Sequence, residues 1–461
     1  MAKKSETAPP TARLQRSAIG ALAITRAGMR QLGHKARQIT RSEEHKEQAQ
    51  QEHEAELGRI LFSALNQLKG TALKVSQMLS MEAGLLPESI RAQLAKACYQ
   101  VTPLNRALVH KLFMREFGRA PQDLFAAFEA QACAAASLGQ VHRARLHDGR
   151  EVALKLQYPG IAASIASDIA MLHGLLQTFG RHVSLLPQPE VMNQVMREIE
   201  LKLNEEIDYQ HEAAQLEWFA AHVRLPGIVL PRLVPQFSSR TVLCMEYLQG
   251  QHLQEWLDGD PPQSARDAVG QLLFDWFLYS TFELGRVHAD PHPGNFLILP
   301  DGRLGVLDFG CTRSLQPDFL LRLRHTWKLF LRLQACSDAA QQRSWAEQLY
   351  AAYCSLGLVQ SRLDCASYCE KIQPLLAPIQ AWQAQAFIHA DADGFFDFSQ
   401  KAPYPATNRE AAEVMMAYLS EFDNDLMYFD RNYLGLMHLL TRLGARVKTR
   451  NRWLCTEEPA A

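Results

Sequence analysis

The chain has 461 residues, 47% hydrophobic and 21% charged, an ordinary globular composition with room for two lobes. Lys and Arg number 48 against 49 Asp and Glu; the net charge of −1 argues against bulk nucleic-acid binding, which normally shows as a basic excess. No uncharged apolar run reaches the length of a membrane span, and none follows the first lysines, so neither a spanning helix nor a cleavable secretory signal is expected.

Residues 7 to 42 hold Arg13, Arg16, Arg26, Arg30, Lys35, Arg37 and Arg41 without a single acid. Leu14, Ala18, Leu22, Met29, Leu32, Ala36 and Ile39 recur at helical steps, but Gly20, Gly28 and Gly33 break the apolar face. The segment reads equally as a loose tail or as a helix lying on anionic lipid. Residues 1–50 therefore form a basic tail, and 51–130 a helical extension broken at Gly84, Pro87, Pro103, Gly118 and Pro121. Residues 131–250 mix strand and helix signals: GREVALKLQ and TVLCMEYL (Thr241 to Leu248) read as strands, and Val191 to Phe219 as one long helix. Residues 251–455 are mainly helical, with LLFDWFLYSTFELG (Leu272 to Gly285) as a core helix and periodic stretches at Glu413 to Leu426 and Tyr433 to Val447. The nine cysteines are scattered, with only Cys365 and Cys369 close together, and read as thiols in a reducing compartment.

The densest chemistry is VHADPHPGN (Val287 to Asn295), with LDFG (Leu307 to Gly310) shortly after it. Asp290, Asn295 and Asp308 offer carboxylate and amide oxygens beside turn-forming Pro291, Pro293 and Gly294, the set that phosphoryl transfer from ATP requires. Asp290 would orient the nucleophile's proton, Asn295 would help hold Mg²⁺, and Asp308 would be its principal ligand. Upstream, Lys155 sits in the middle of the strand EVALKLQ, where a kinase-like fold keeps its phosphate-contacting lysine. Glu212 is its chosen carboxylate partner; on a continuous helix Glu206 would lie about 120° away from it and serve another group. The alanine-rich AAASLGQVHRARL (Ala134 to Leu146) occupies the place of a kinase's glycine-rich loop, but alanine restricts the backbone where glycine would not. A rival reading takes His288, Asp290 and His292 as ligands of a transition metal, and leaves Lys155, Asn295 and the DFG unexplained.

With these pieces in order, the sequence resembles the UbiB family of atypical kinase-like proteins, also called the AarF or ABC-one type. The resemblance rests on LKGTALKVSQMLS (Leu68 to Ser80), AAASLGQVHRA, VALK, EIDYQHEA, HADPHPGN and LDFG. It implies an α+β, protein-kinase-like two-lobe fold with an N-terminal helical extension. It assigns Lys155, Glu212 and Asp290 to catalysis, and Asn295 and Asp308 to the metal. Ala134, Ala135, Ala136, Ser137, Lys155 and Met245 are the expected nucleotide contacts. Lys74 and Gln77 match the family's KxGQ motif, and Glu206 and Asp208 its ExD acids, a regulatory set that covers the cleft against peptides. Ser76 stands where that motif has glycine, which bears on how Lys74 and Gln77 sit.

The resemblance further implies binding of ATP or ADP with Mg²⁺, slow ATPase activity and support of ubiquinone or other isoprenoid-lipid metabolism. The expected partners are a lipid or quinone-type small molecule and lipid-biosynthesis proteins. The expected location is cytoplasmic, with peripheral contact with the inner membrane through the N-terminus. CTRSLQPDF runs from the DFG straight into a helical pattern, leaving no long activation segment, so conventional protein kinase activity is disfavoured. The alternatives are a small-molecule phosphotransferase and a nucleotide-sensing scaffold without turnover.

Overall fold

The computed structural model describes residues 104–136, 138–180, 189–360, 363–405 and 424–455, with 56, 59, 60, 63 and 75. The basic N-terminal tail, Lys74, Ser76, Gln77 and Ser137 lie outside the described residues. The chain divides into two compact units, one of Met1–Ala213 with Leu233–Tyr247, the other of Ala214–Arg232 with Leu248–Ala461.

The first unit is built on an antiparallel sheet. Strand Gly139–Arg145 pairs with Ala127–Phe128, with Ala134–Ala136 and with Glu151–Gln157, which in turn pairs with Val242–Glu246. Side chains alternate across a strand. In Glu151–Gln157, Val152, Leu154 and Leu156 enter a core with Val109, Leu112, Phe113, Phe125, Val242 and Cys244. Burying each such Leu, Val or Phe is worth roughly 1.5–3 kcal/mol. Ala153, Lys155 and Gln157 take the opposite face. Helix Arg106–Phe117 starts where Asn105 accepts the Leu108 N–H, and it contributes Val109, Leu112 and Phe113 to the core.

A buried polar chain ties Leu104 to the sheet. The Leu104 N–H donates to Gln140 Oε1 at 2.6 Å, which leaves Gln140 Nε2 to donate to His142 Nε2 at 2.6 Å. His142 therefore carries its proton on Nδ1, which donates to the Glu129 carbonyl at 2.8 Å. Desolvation by burial holds the His142 imidazole below its usual pKa.

Helices Ile161–Gly180 and Pro189–Glu206 pack on one another. The periodicity over Val191 to Phe219 predicts one helix, but there are two, Pro189–Glu206 and Tyr209–His222, broken at Ile207 and Asp208. The break is held from two sides. Gln157 Nε2 donates to the Ile207 carbonyl at 2.6 Å, and Asp208 Oδ1 accepts the backbone N–H groups of Gln210 and His211 at 3.1 and 3.2 Å. Asp208 is thus an N-cap, a role its short carboxylate suits. The 120° relation between Glu206 and Glu212 does not hold across such a break.

The second unit carries a four-stranded sheet in the order Ile228–Val229, Leu304–Val306, Phe296–Ile298, Gln251–His252. A two-stranded ladder pairs Arg286–His288 with Thr312–Ser314. Its helices include Gln263–Leu278, Pro317–Ala335, Ala339–Ser355, Gln373–Ile388 and Asn424–Leu443. They meet at aromatic contacts, with Trp327 5.1 Å from Tyr433 and Phe277 5.6 Å from Phe429 between ring centroids. The core helix expected over Leu272 to Gly285 is α-helical to Leu278 and widens to a π-turn over Tyr279–Glu283. The helix expected to run to Val447 stops at Leu443, because Gly444 takes φ +56°, and Arg446–Lys448 forms a strand with Phe395–Asp397. The stretch from Glu413 to Asp423 lies outside the described residues.

Lys401 is buried in this unit, its ammonium 4.2 Å above the Trp382 ring and donating to the Trp382 carbonyl. Burial pulls its pKa down to about 8. Among the described residues, no helix is long and apolar enough to cross a membrane.

Candidate functional site

In the first unit the sheet presents its polar face through Lys155. The Lys155 ammonium donates to both oxygens of Glu212, at 2.9 and 2.8 Å. Only 8% of Lys155 and 2% of Glu212 is exposed, and the ammonium lies 5.3 Å from the Tyr209 ring centroid. Glu212 lies one turn into its helix, and its N–H donates to the Asp208 carbonyl at 3.1 Å. The cap at Asp208 therefore sets where Glu212 stands, and the strand pleat sets where Lys155 stands.

Register places the other expected nucleotide contacts. Met245 is opposite Ala153, so it shares the sheet face of Lys155, away from the hydrophobic core. Ala134, Ala135 and Ala136 form the short strand facing Val141, Gln140 and Gly139, at the end of the sheet that leads into Ser137. The alanine-rich stretch is a strand that turns into a second strand. Glu206 is the last residue of its helix and is half-buried.

In the second unit, Asp290 and Asn295 are joined through a tight loop. Asn295 Nδ2 donates to Asp290 Oδ2 at 2.8 Å and to the Asp290 carbonyl at 3.0 Å. Pro293–Asn295 form one 3₁₀ turn, capped by His292 Nδ1, which accepts the Gly294 N–H at 3.1 Å. This loop is stitched to the DFG: Leu307 N–H donates to the Asn295 carbonyl at 3.0 Å and Ala289 N–H to the Cys311 carbonyl at 2.9 Å. His288 Nε2 bonds the Asp308 carbonyl, and its ring packs among Trp276, Phe296 and Phe309. A ring nitrogen engaged in that way belongs to the scaffold, which weighs against the transition-metal reading of the HxDxH string. Asp308 Oδ1 accepts the Gly310 N–H at 2.9 Å, which orients the carboxylate.

Two further residues address this loop. Arg431, in helix Asn424–Leu443, places Nη2 3.5 Å from Asp290 Oδ1. One turn later, a Cβ on Gly435 would fall 2.1 Å from Pro291 Cγ, so only glycine lets the helix sit this close. A glycine inside an apolar helical run costs roughly 1 kcal/mol, a signal that such a position serves packing. Nothing in the local sequence singles out Arg431.

The segment after the DFG is short: Gly310 and the helix start at Pro317 are separated by CTRSLQ. Its Thr312–Ser314 strand is paired with Arg286–His288, and Arg313 Nε bonds Asp425 Oδ1 at 3.1 Å.

A lysine–glutamate pair rising from an antiparallel sheet, with a D…N loop joined to a DFG, defines an atypical, protein-kinase-like protein of α+β fold. The family described as "ABC1 atypical kinase-like domain" matches residues 96–339, and the chain belongs to it. AarF domain-containing protein kinase 1 of Mus musculus is 31% identical over 317 residues, 68% of this chain and 59% of that protein. An uncharacterized chloroplastic aarF domain-containing protein kinase of Arabidopsis thaliana is 33% identical over 273 residues, 57% of this chain and 36% of that protein. An uncharacterized protein of Synechocystis is 33% identical over 263 residues, 56% of this chain and 45% of that protein, so the chain spans less than half of these last two relatives. Among solved structures, the Rv3197–erythromycin complex from Mycobacterium tuberculosis superimposes with a TM-score of 0.55 at 26% identity, over 84% of this chain and 92% of that chain.

Proposed function

We propose that the protein binds Mg²⁺ with ATP or ADP and hydrolyses ATP slowly, in support of ubiquinone or other isoprenoid-lipid metabolism. The observation that carries the nucleotide reading is the buried Lys155–Glu212 pair, since a charge withdrawn from water needs both a partner and a reason. Lys155 holds phosphate oxygens, and Met245 and the Ala134–Ala136 strand bound the base and phosphates. Asn295 and Asp308 provide amide and carboxylate oxygens, the hard donors that Mg²⁺ takes. The Asn295 nitrogen is spent on Asp290, so its oxygen is the atom offered to a cation. When bound, the ion neutralises charge that develops between the phosphates. Asp290 orients the attacking hydroxyl or water.

The lipid part of the reading rests on the family. The Mycobacterium neighbour's complex with erythromycin supports a small-molecule ligand in general. Conventional protein kinase activity is disfavoured by the short segment after the DFG. Peripheral membrane contact through the basic tail, regulation by Lys74 and Gln77 against Glu206 and Asp208, and lipid-biosynthesis protein partners belong to the same proposal.

Asp308→Asn tests the site. It should abolish Mg²⁺-dependent ATP binding by calorimetry while leaving the circular dichroism spectrum unchanged; unaltered affinity rejects the assignment. Phosphate release without a phosphorylated acceptor distinguishes the ATPase from a phosphotransferase, and nucleotide binding with neither indicates a sensing scaffold. Quinone profiling of a deletion strain, rescued by wild type but not by Asp308→Ala, tests the metabolic role.

A further inference from the structure

The carboxylate of Asp290 is gripped at both oxygens. Oδ2 accepts from Asn295 at 2.8 Å, and Oδ1 faces the Arg431 guanidinium at 3.5 Å. The two contacts come from parts of the chain far apart in sequence, five and 141 residues from Asp290. The loop Val287 to Asn295 contains no lysine or arginine of its own. Its two histidines are engaged within the scaffold, His288 on the Asp308 carbonyl and His292 on the Gly294 N–H.

Arg431 comes to Asp290 on a helix that is itself fixed on both sides of the site. Gly435, one turn beyond, admits Pro291, the residue that follows Asp290. Asp425, near the helix start, bonds Arg313 Nε and the Gln316 N–H, just after the DFG. Side-chain exposures of 16% for Arg431 and 19% for Asp290 keep the ion pair largely out of water, where screening is weaker. A guanidinium remains charged and its planar fork resists reorientation, so it suits a fixed-direction contact better than an ammonium does.

We infer that Arg431 is a positioning residue for Asp290: with Asn295 it locks the plane of the carboxylate, so that one orientation meets the attacking water or hydroxyl. This rests on the phosphoryl-transfer reading above. Arg431 acts through Asp290, so its loss affects turnover and leaves nucleotide binding alone.

The experiment uses the full chain, with Mg·ADP binding by calorimetry and ATP hydrolysis by phosphate release. Arg431→Met, of similar length and without charge, should lower kcat roughly ten- to a hundredfold, the range expected for a misplaced catalytic group. The Kd for Mg·ADP and the KM for ATP should stay within about twofold of wild type, since binding contacts are kept. Arg431→Lys should recover part of the lost kcat. An unchanged kcat in Arg431→Met overturns the proposal, as does a loss of Mg·ADP affinity in proportion to kcat, which would make Arg431 a nucleotide ligand. If Arg431→Met fails to fold and Arg431→Lys turns over like wild type, Arg431 serves folding and the proposal is likewise overturned. Wild-type protein that binds Mg·ADP but releases no phosphate would sink the turnover reading and this inference with it. Active wild type with an equally active Arg431→Met sinks the inference alone.

Discussion

Asp208 and Glu212 are bound to each other through the first turn of one helix. The Asp208 carbonyl accepts the Glu212 N–H at 3.1 Å, while its carboxylate caps Gln210 and His211. Removing the cap with Asp208→Ala should cost about 0.5–2 kcal/mol in urea denaturation, and Asp208→Asn only a fraction of that. Nucleotide affinity should fall further in the alanine variant than in the asparagine variant, because Glu212 loses its fixed starting point. Equal stability of both variants and wild type would show that the helix starts without the cap.

The Lys155–Glu212 pair should behave as a unit. Truncating one member leaves the other charge buried, so Glu212→Ala should cost about 3–5 kcal/mol. Lys155→Met with Glu212→Leu should cost clearly less than the sum of the two single changes. A double-mutant cycle in urea measures this coupling; additive losses would mean that the charges do not sense one another.

His142 gives stability a dependence on acid. Its pKa in the folded chain is depressed by burial, so between that value and about 6.5 the unfolded chain binds the extra proton. Its contribution is fully present above about pH 6.5 and is lost as pH falls towards the folded-state value. Protonation would also remove the acceptor that Gln140 Nε2 uses. Denaturation midpoints should drop from pH 7 to pH 5, with a shallower slope in His142→Gln; identical slopes would assign the effect elsewhere.

Lys401 acts at the other end of the pH scale. Its folded pKa of about 8 lies below its ordinary value of 10.5, so the unfolded chain holds more protons between the two. Stability should therefore rise as pH increases from 8 to 10. Lys401→Met should flatten that rise and be tolerated at pH 7, since its partners are the Trp382 carbonyl and ring. A steeper rise in the methionine variant would contradict the assignment.

What was legible in the sequence was local. The alternation in EVALKLQ put Lys155 on a strand, and the prolines and glycine of HADPHPGN marked an irregular loop, because strand pleat and turn chemistry are written in adjacent residues. The break at Ile207–Asp208 carries no glycine or proline, and the apolar period runs through it. The one local signal is Asp208 itself, an N-cap residue type directly before Tyr209. The strand at Arg446–Lys448 was hidden behind a helical period that ends at Gly444. Arg431 was invisible for a different reason: its partner is 141 residues away, and only tertiary structure brings them together.

The family's boundary and the fold's boundary do not coincide. The matched stretch closes at residue 339, yet the helix that wedges Gly435 against Pro291 begins at Asn424. A fragment ending at residue 339 would keep the motifs from Ala134 to Gly310 and lose the buttress behind the HADPHPGN loop. It would also uncover Trp327 and Phe277, whose aromatic partners Phe429 and Tyr433 lie on that helix. Such a fragment should be sticky and inert, and a dead fragment of this kind would say nothing against the motifs it carries.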